Sequence, residues 1–93
     1  MTVEELLRQA RETWGDKPMT LEHIALALGV VYGDICRQAR SKIEQGTLDE
    51  AELKKELGNL VTSGIRWCDD LGYDPQACIT LSQEAQIRYK KFS

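Results

Sequence analysis

Apolar positions along this chain recur in steps of three and four. Between Leu21 and Ile43 the series reads Leu21, Ile24, Ala25, Leu28, Tyr32, Ile35, Cys36, Ala39 and Ile43, the spacing of one face of an α-helix. Leu53, Leu57, Leu60, Val61, Gly64, Cys68 and Leu71 repeat it, as do Cys78, Leu81, Ala85 and Tyr89. No segment shows the strict alternation of a half-buried strand. The polar punctuation agrees. Thr2 with Glu5 makes a capping box, and Gly15 sits where a helix would stop. Pro18 breaks the chain, Thr20 is placed to cap a second helix, and Gly46 ends it. Thr47 with Glu50 forms a second capping box for a third helix, which closes at Gly72. Asp74 before Pro75 opens a fourth. These boundaries predict an all-α fold: a four-helix bundle of antiparallel neighbours, with residues 1–93 as one domain.

The second helix carries more apolar surface than one core needs. Ala27, Val30 and Val31 form an extra patch beside the main stripe, ending at Asp34. A helix that is apolar on two sides is buried on two sides. A chain of 93 residues is marginally stable alone. The second cover is therefore expected to be another subunit, in a homo-oligomer (a dimer or a tetramer).

Composition narrows the function classes. A net charge of −3 and a pI near 5.1 argue against a nucleic-acid or membrane-surface binder, which usually shows a basic balance. No apolar run approaches the roughly 20 residues of a membrane span. The first residues, "MTVEELLRQ", are acidic where a signal peptide is basic and then apolar. A cytoplasmic location is expected. Cys36, Cys68 and Cys78 are odd in number and share no CxxC spacing, which predicts reduced thiols and no disulfide framework or zinc site.

One polar line could carry chemistry. Glu52, Glu56, Asn59 and Ser63 follow a helical rhythm beside the apolar stripe of the third helix, and Asp34 lies on the second. Carboxylates on facing helices are a common way for helical proteins to hold divalent ions. Mg²⁺ takes oxygen ligands in near-octahedral geometry, completed by water and substrate phosphate. Acids on a helix flank also make an ordinary solvated face.

The stretch "LEHIALALGVVYGDICRQARSKIEQGTLDEAELKKELGNLVTSGIRWCDDLGYDPQA" resembles the MazG-like nucleoside triphosphate pyrophosphohydrolases. That all-α group has a helix with an EExxE motif, a helix with ExxD in the form "ELGDxLW", and an "LG" turn into a last helix. Here "ELGNLV" at Glu56–Val61 and "DDLGYDPQA" carry the resemblance most strongly, and "GVVYGDI" aligns to the first motif without a gap.

The resemblance implies Mg²⁺ held by the motif acids, gripping a triphosphate while water attacks and pyrophosphate leaves. Position by position, the first two glutamates fall on Val30 and Val31, the third on Asp34, the fourth on Glu56 and the aspartate on Asn59. Two of the five acids remain. The implied metal ligands are thus Asp34, Glu56 and Asn59, with Asp34 and Glu56 as the catalytic pair, and Mg²⁺ binding weak or absent. Losing several preorganised charges costs several kcal/mol of transition-state stabilisation, since one such donor is worth about 2.7–4 kcal/mol. The expected protein keeps the fold with lost or strongly reduced pyrophosphatase activity and acts by binding a nucleoside triphosphate or a protein. The alternative is an active enzyme with a rearranged metal site, drawing on Asp34, Glu56, Glu52 and Asp69 or Asp70. A plain helical interaction module is a third reading. Arg88 and Lys91 are candidates for phosphate and Trp67 for base stacking, although basic residues at a helix C-terminus also follow from the helix dipole and aromatics at helical spacing from packing.

Overall fold

Local capping sets the limits of four helices. In this computed structural model, which describes residues 1–92, α1 spans Val3–Trp14, α2 Leu21–Gln45, α3 Glu50–Asp70 and α4 Pro75–Phe92. The Thr2 hydroxyl accepts the Glu5 N–H at 3.1 Å, and the Thr20 hydroxyl accepts that of His23 at 3.3 Å. Each satisfies a donor that the first helical turn leaves without a partner. Gly46 ends α2 in the left-handed region (φ 67°), its N–H donating to the Lys42 carbonyl, a conformation that glycine adopts without a Cβ clash.

The start of α3 differs from the capping box expected at Thr47. Asp49 is the cap, its carboxylate accepting the Glu52 N–H at 3.0 Å. Thr47 is drawn away, its hydroxyl 2.9 Å from that of Ser41, while Gln38 accepts the Asp49 N–H at 3.1 Å. A carboxylate also suits the positive end of the helix dipole better than a hydroxyl.

Helix α3 is the hub, with α1, α2 and α4 each packed on it. The turn at 46–49 sends α3 back antiparallel to α2. The result is spread out. The radius of gyration is 15.5 Å, against about 12 Å for a compact domain of this length. Among the described residues, Ala10, Ile24 and Ile65 are buried, one on each of α1, α2 and α3, as is Pro75 at the start of α4, and Glu56 and Arg66 are buried with them. Among the described residues, no helix is long and apolar enough to cross a membrane.

The sides of α2 are exchanged relative to the sequence reading. The line against α3 is Ile24, Ala27, Val31, Asp34, Ile35 and Gln38, so two members of the supposed extra patch turn inward. Most of the longer apolar stripe, including Leu21, Leu28, Tyr32 and Ile43, is exposed. Periodicity marks both lines as helical faces, but which one meets α3 is set by how the partner helix packs.

Between α3 and α4 lies an apolar groove lined by Val61, Gly64, Ile65, Cys68, Pro75 and Cys78. Burial, together with hydrogen bonding to Cys78, pushes the Cys68 thiol up to about 11. The thiolate is the reactive form. Alkylation of Cys68 by iodoacetamide at pH 8 is therefore expected to run ~100-fold slower in the folded chain than in the chain unfolded by guanidinium. Peptide-level mass spectrometry reads both rates, and equal rates would show that the groove does not shield the thiol.

Candidate functional site

The seam between α2 and α3 brings together the two acids that match the family pattern. Glu56 is 5% exposed, and Asp34 is half-buried opposite it, on the inward line of α2. One turn before Glu56, Glu52 follows the same side of α3. A lysine ammonium lies at the solvent edge of these acids. Lys55 Nζ lies 2.7 Å from Glu52 Oε1 and 3.8 Å from Glu56 Oε1. Its pKa is raised above the ordinary lysine value, chiefly by the hydrogen bond to Glu52 and by that carboxylate's charge, with smaller contributions from Glu56 and Asp34. A second cation, the Arg37 guanidinium, pairs with Asp34 within α2.

The other motif positions border this seam. Val31 is half-buried against α3 one turn before Asp34, while Val30, four residues before Asp34 and on the same side of α2, is 66% exposed. Asn59 is exposed one turn beyond Glu56. The helix pair thus places Val30, Val31, Asp34, Glu56 and Asn59 along one edge, with two apolar side chains where the family pattern has carboxylates. Among the described residues, no three His, Cys, Asp or Glu side chains converge as a metal-holding group.

Asp69 and Asp70, offered by the alternative reading as substitute ligands, stand elsewhere. The step from Glu56 to Asp70 is about 20 Å along a helix. Both are taken up by arginines at the junction of α1 and α3. Arg11 pairs with Asp69 and, at 2.8 Å, with Asp70 Oδ1. Arg66 Nε lies 3.4 Å from Asp70 Oδ2. The Asp70 side chain is wholly buried and that of Arg66 is 8% exposed. Arg66 also donates to the carbonyls of Ala10 (3.3 Å), Gly15 (3.1 Å) and Lys17 (3.3 Å), gathering the C-terminal end of α1 and the loop after it. The buried carboxylate of Asp70 is satisfied by charge, without aligned hydrogen bonds. In the sequence this clasp shows only as Arg66 and Asp70 four apart; nothing there marks Arg11 as their partner.

The substrate candidates do not gather at the seam within one chain. Trp67 is half-buried near the end of α3, and Arg88 and Lys91 are exposed at the end of α4. Only the first turns of α4 line the groove on α3, and residues 80–91 are exposed throughout. Lys55, which the motif comparison passed over, is the residue the structure adds. Its spacing of three from Glu52 is a recognisable helical ion pair, whereas the weaker attraction of Asp34 depends on α2.

No family model matches the chain, and neither a curated protein nor a solved structure matches it.

Proposed function

We propose that this chain is a MazG-like pyrophosphohydrolase-fold protein whose Mg²⁺-dependent hydrolysis is lost or strongly reduced, and that it acts by binding a nucleoside triphosphate or a protein partner. The supporting observation is the Lys55 ammonium at the edge of the seam, 2.7 Å from Glu52 Oε1 and 3.8 Å from Glu56 Oε1, with Asp34 adding only a weak attraction. In the chemistry that the resemblance implies, a divalent ion neutralises the charge that develops on phosphate and lowers the pKa of the attacking water. The residues at this seam do not suit such an ion. Val30 and Val31 offer no donor atom, Asn59 offers at most a neutral carbonyl oxygen, and the Lys55 ammonium and the Arg37 guanidinium already pair with carboxylates there. Mg²⁺ gives up its water reluctantly and needs a dense set of oxygens in return. An ammonium can draw a phosphate close, but it does not bridge phosphate oxygens or ionise a bound water as a metal does.

The test is direct. Incubation with a panel of standard and modified nucleoside triphosphates, with Mg²⁺ or Mn²⁺, is expected to release no pyrophosphate above the uncatalysed background. Turnover that disappears in Glu56→Ala would overturn the proposal in favour of an active enzyme with a rearranged metal site.

A further inference from the structure

The turn from α3 to α4 is fixed by its own backbone. The Tyr73 N–H donates to the Cys68 carbonyl at 2.9 Å and the Gly72 N–H to that of Asp69 at 2.9 Å, with Gly72 in the left-handed region (φ 82°). These two nested bonds are the Schellman arrangement that stops a helix in a set geometry. Pro75, buried at the first position of α4, and the Cys78 N–H, donating to the Asp74 carbonyl at 3.1 Å, set the start of the next helix. Cys68 therefore begins the turn and Cys78 stands just beyond it. Both are free thiols, half-buried in the same groove and within hydrogen-bonding reach of each other.

Little else holds α4. Residues 80–91 are exposed throughout, so its seat on α3 rests on its first turns around Pro75, Cys78 and Ile79. A bond between the two sulfurs would act where α4 pivots. It asks for no large backbone movement, because the turn already brings the sulfurs together.

We propose that Cys68 and Cys78 are a reversible dithiol site, which a small disulfide such as oxidised glutathione closes to a protein disulfide that clamps α4 on α3. The Cys78 thiolate attacks one sulfur of glutathione disulfide, that S–S bond breaks, and one glutathione leaves as thiolate. Cys78 attacks first because burial holds the proton on Cys68. Cys68 then gives its proton to solvent and attacks the Cys78 sulfur, and the second glutathione leaves. Two protein thiols are oxidised, and one glutathione disulfide is reduced to two glutathiones. The closing step joins groups that the turn holds side by side, so it outcompetes attack by glutathione from solution. Cys36, exposed on α2 and outside the groove lining, stops at the mixed disulfide.

The test uses the unaltered chain, equilibrated in a glutathione redox buffer, quenched in acid, capped at its free thiols and digested with trypsin. Between Arg66 and Arg88 there is no Lys or Arg, so Cys68 and Cys78 fall in one peptide and Cys36 in another. The peptide of residues 67–88 is expected to become lighter by two hydrogens, while the Cys36 peptide gains a glutathione. The equilibrium constant for closure is expected to be at least ~100-fold larger in the folded chain than in guanidinium, where the turn no longer holds the sulfurs together. Closure is also expected to slow amide hydrogen exchange at residues 78–82 at least ~10-fold, because the clamp resists local opening of α4. Cys68→Ser is expected to leave glutathione on Cys78. A closure constant no larger in the folded chain than in guanidinium, glutathione accumulating on both cysteines without a bridge, or exchange in α4 unchanged by closure would each overturn the proposal.

Discussion

Asp70→Ala is expected to lower folding stability by about 3–5 kcal/mol, the cost of breaking a buried charge pair by removing one partner. The expectation follows from what remains behind. The Asp70 side chain is fully buried between Arg11 and Arg66. Its removal leaves the Arg66 guanidinium buried with carbonyl partners only, and an uncompensated charge in a dry site is expensive. Domains of this size hold about 5–15 kcal/mol in total, so the loss is a large share. Asp70→Asn keeps the shape and part of the hydrogen-bonding capacity and is expected to fall between the two. Denaturant unfolding followed by circular dichroism, at one fixed protein concentration, reads all three. A cost below about 1 kcal/mol, the range of exposed pairs, would mean that the clasp is surface-like and does not hold α1 on α3.

Metal binding is expected when the tethered cation is removed and the missing acids are supplied. Lys55→Met alone leaves Glu52 and Glu56 without the ammonium beside them. Adding Val30→Glu, Val31→Glu and Asn59→Asp supplies the full acidic set of the family pattern along the same edge. Affinity for Mn²⁺, read by titration calorimetry, is expected to rise from the unaltered chain through Lys55→Met to the quadruple variant, by at least ~100-fold overall, since ligand charge and number set divalent affinity. Val31→Glu puts a carboxylate on a half-buried position, so stability in the absence of metal should drop and metal should restore it. If the quadruple variant bound no better than the unaltered chain, the alignment of "GVVYGDI" with the first motif would be wrong. Retained strong binding in the unaltered chain would instead argue against Lys55 as the balancing cation.

These two expectations rest on features of different legibility. Asp34 and Glu56 were marked by motif and spacing, and α2 and α3 bring them to the same seam. Lys55 was visible as a neighbour of Glu52 on the same helix, whereas the weaker pull of Asp34 on it depends on how α2 packs. Arg11 gave no signal at all, since its partners lie at the far end of the fold in sequence and only the docking of α1 joins them.

The sequence by itself determined where the helices are. Thr2, Thr20, Gly46, Gly72 and Pro75 act through bonds and clashes within a few residues, so their effect is written locally. Even the exception is local in kind: Asp49 displaced Thr47 as a cap because a hydroxyl on the previous helix took Thr47 away. Only the tertiary structure decided which face of α2 is covered, which charges pair between helices and which apolar stripe is left open. Those outcomes depend on how one helix is turned against another. A period of 3.6 residues marks every apolar line on a helix alike, whatever lies opposite it.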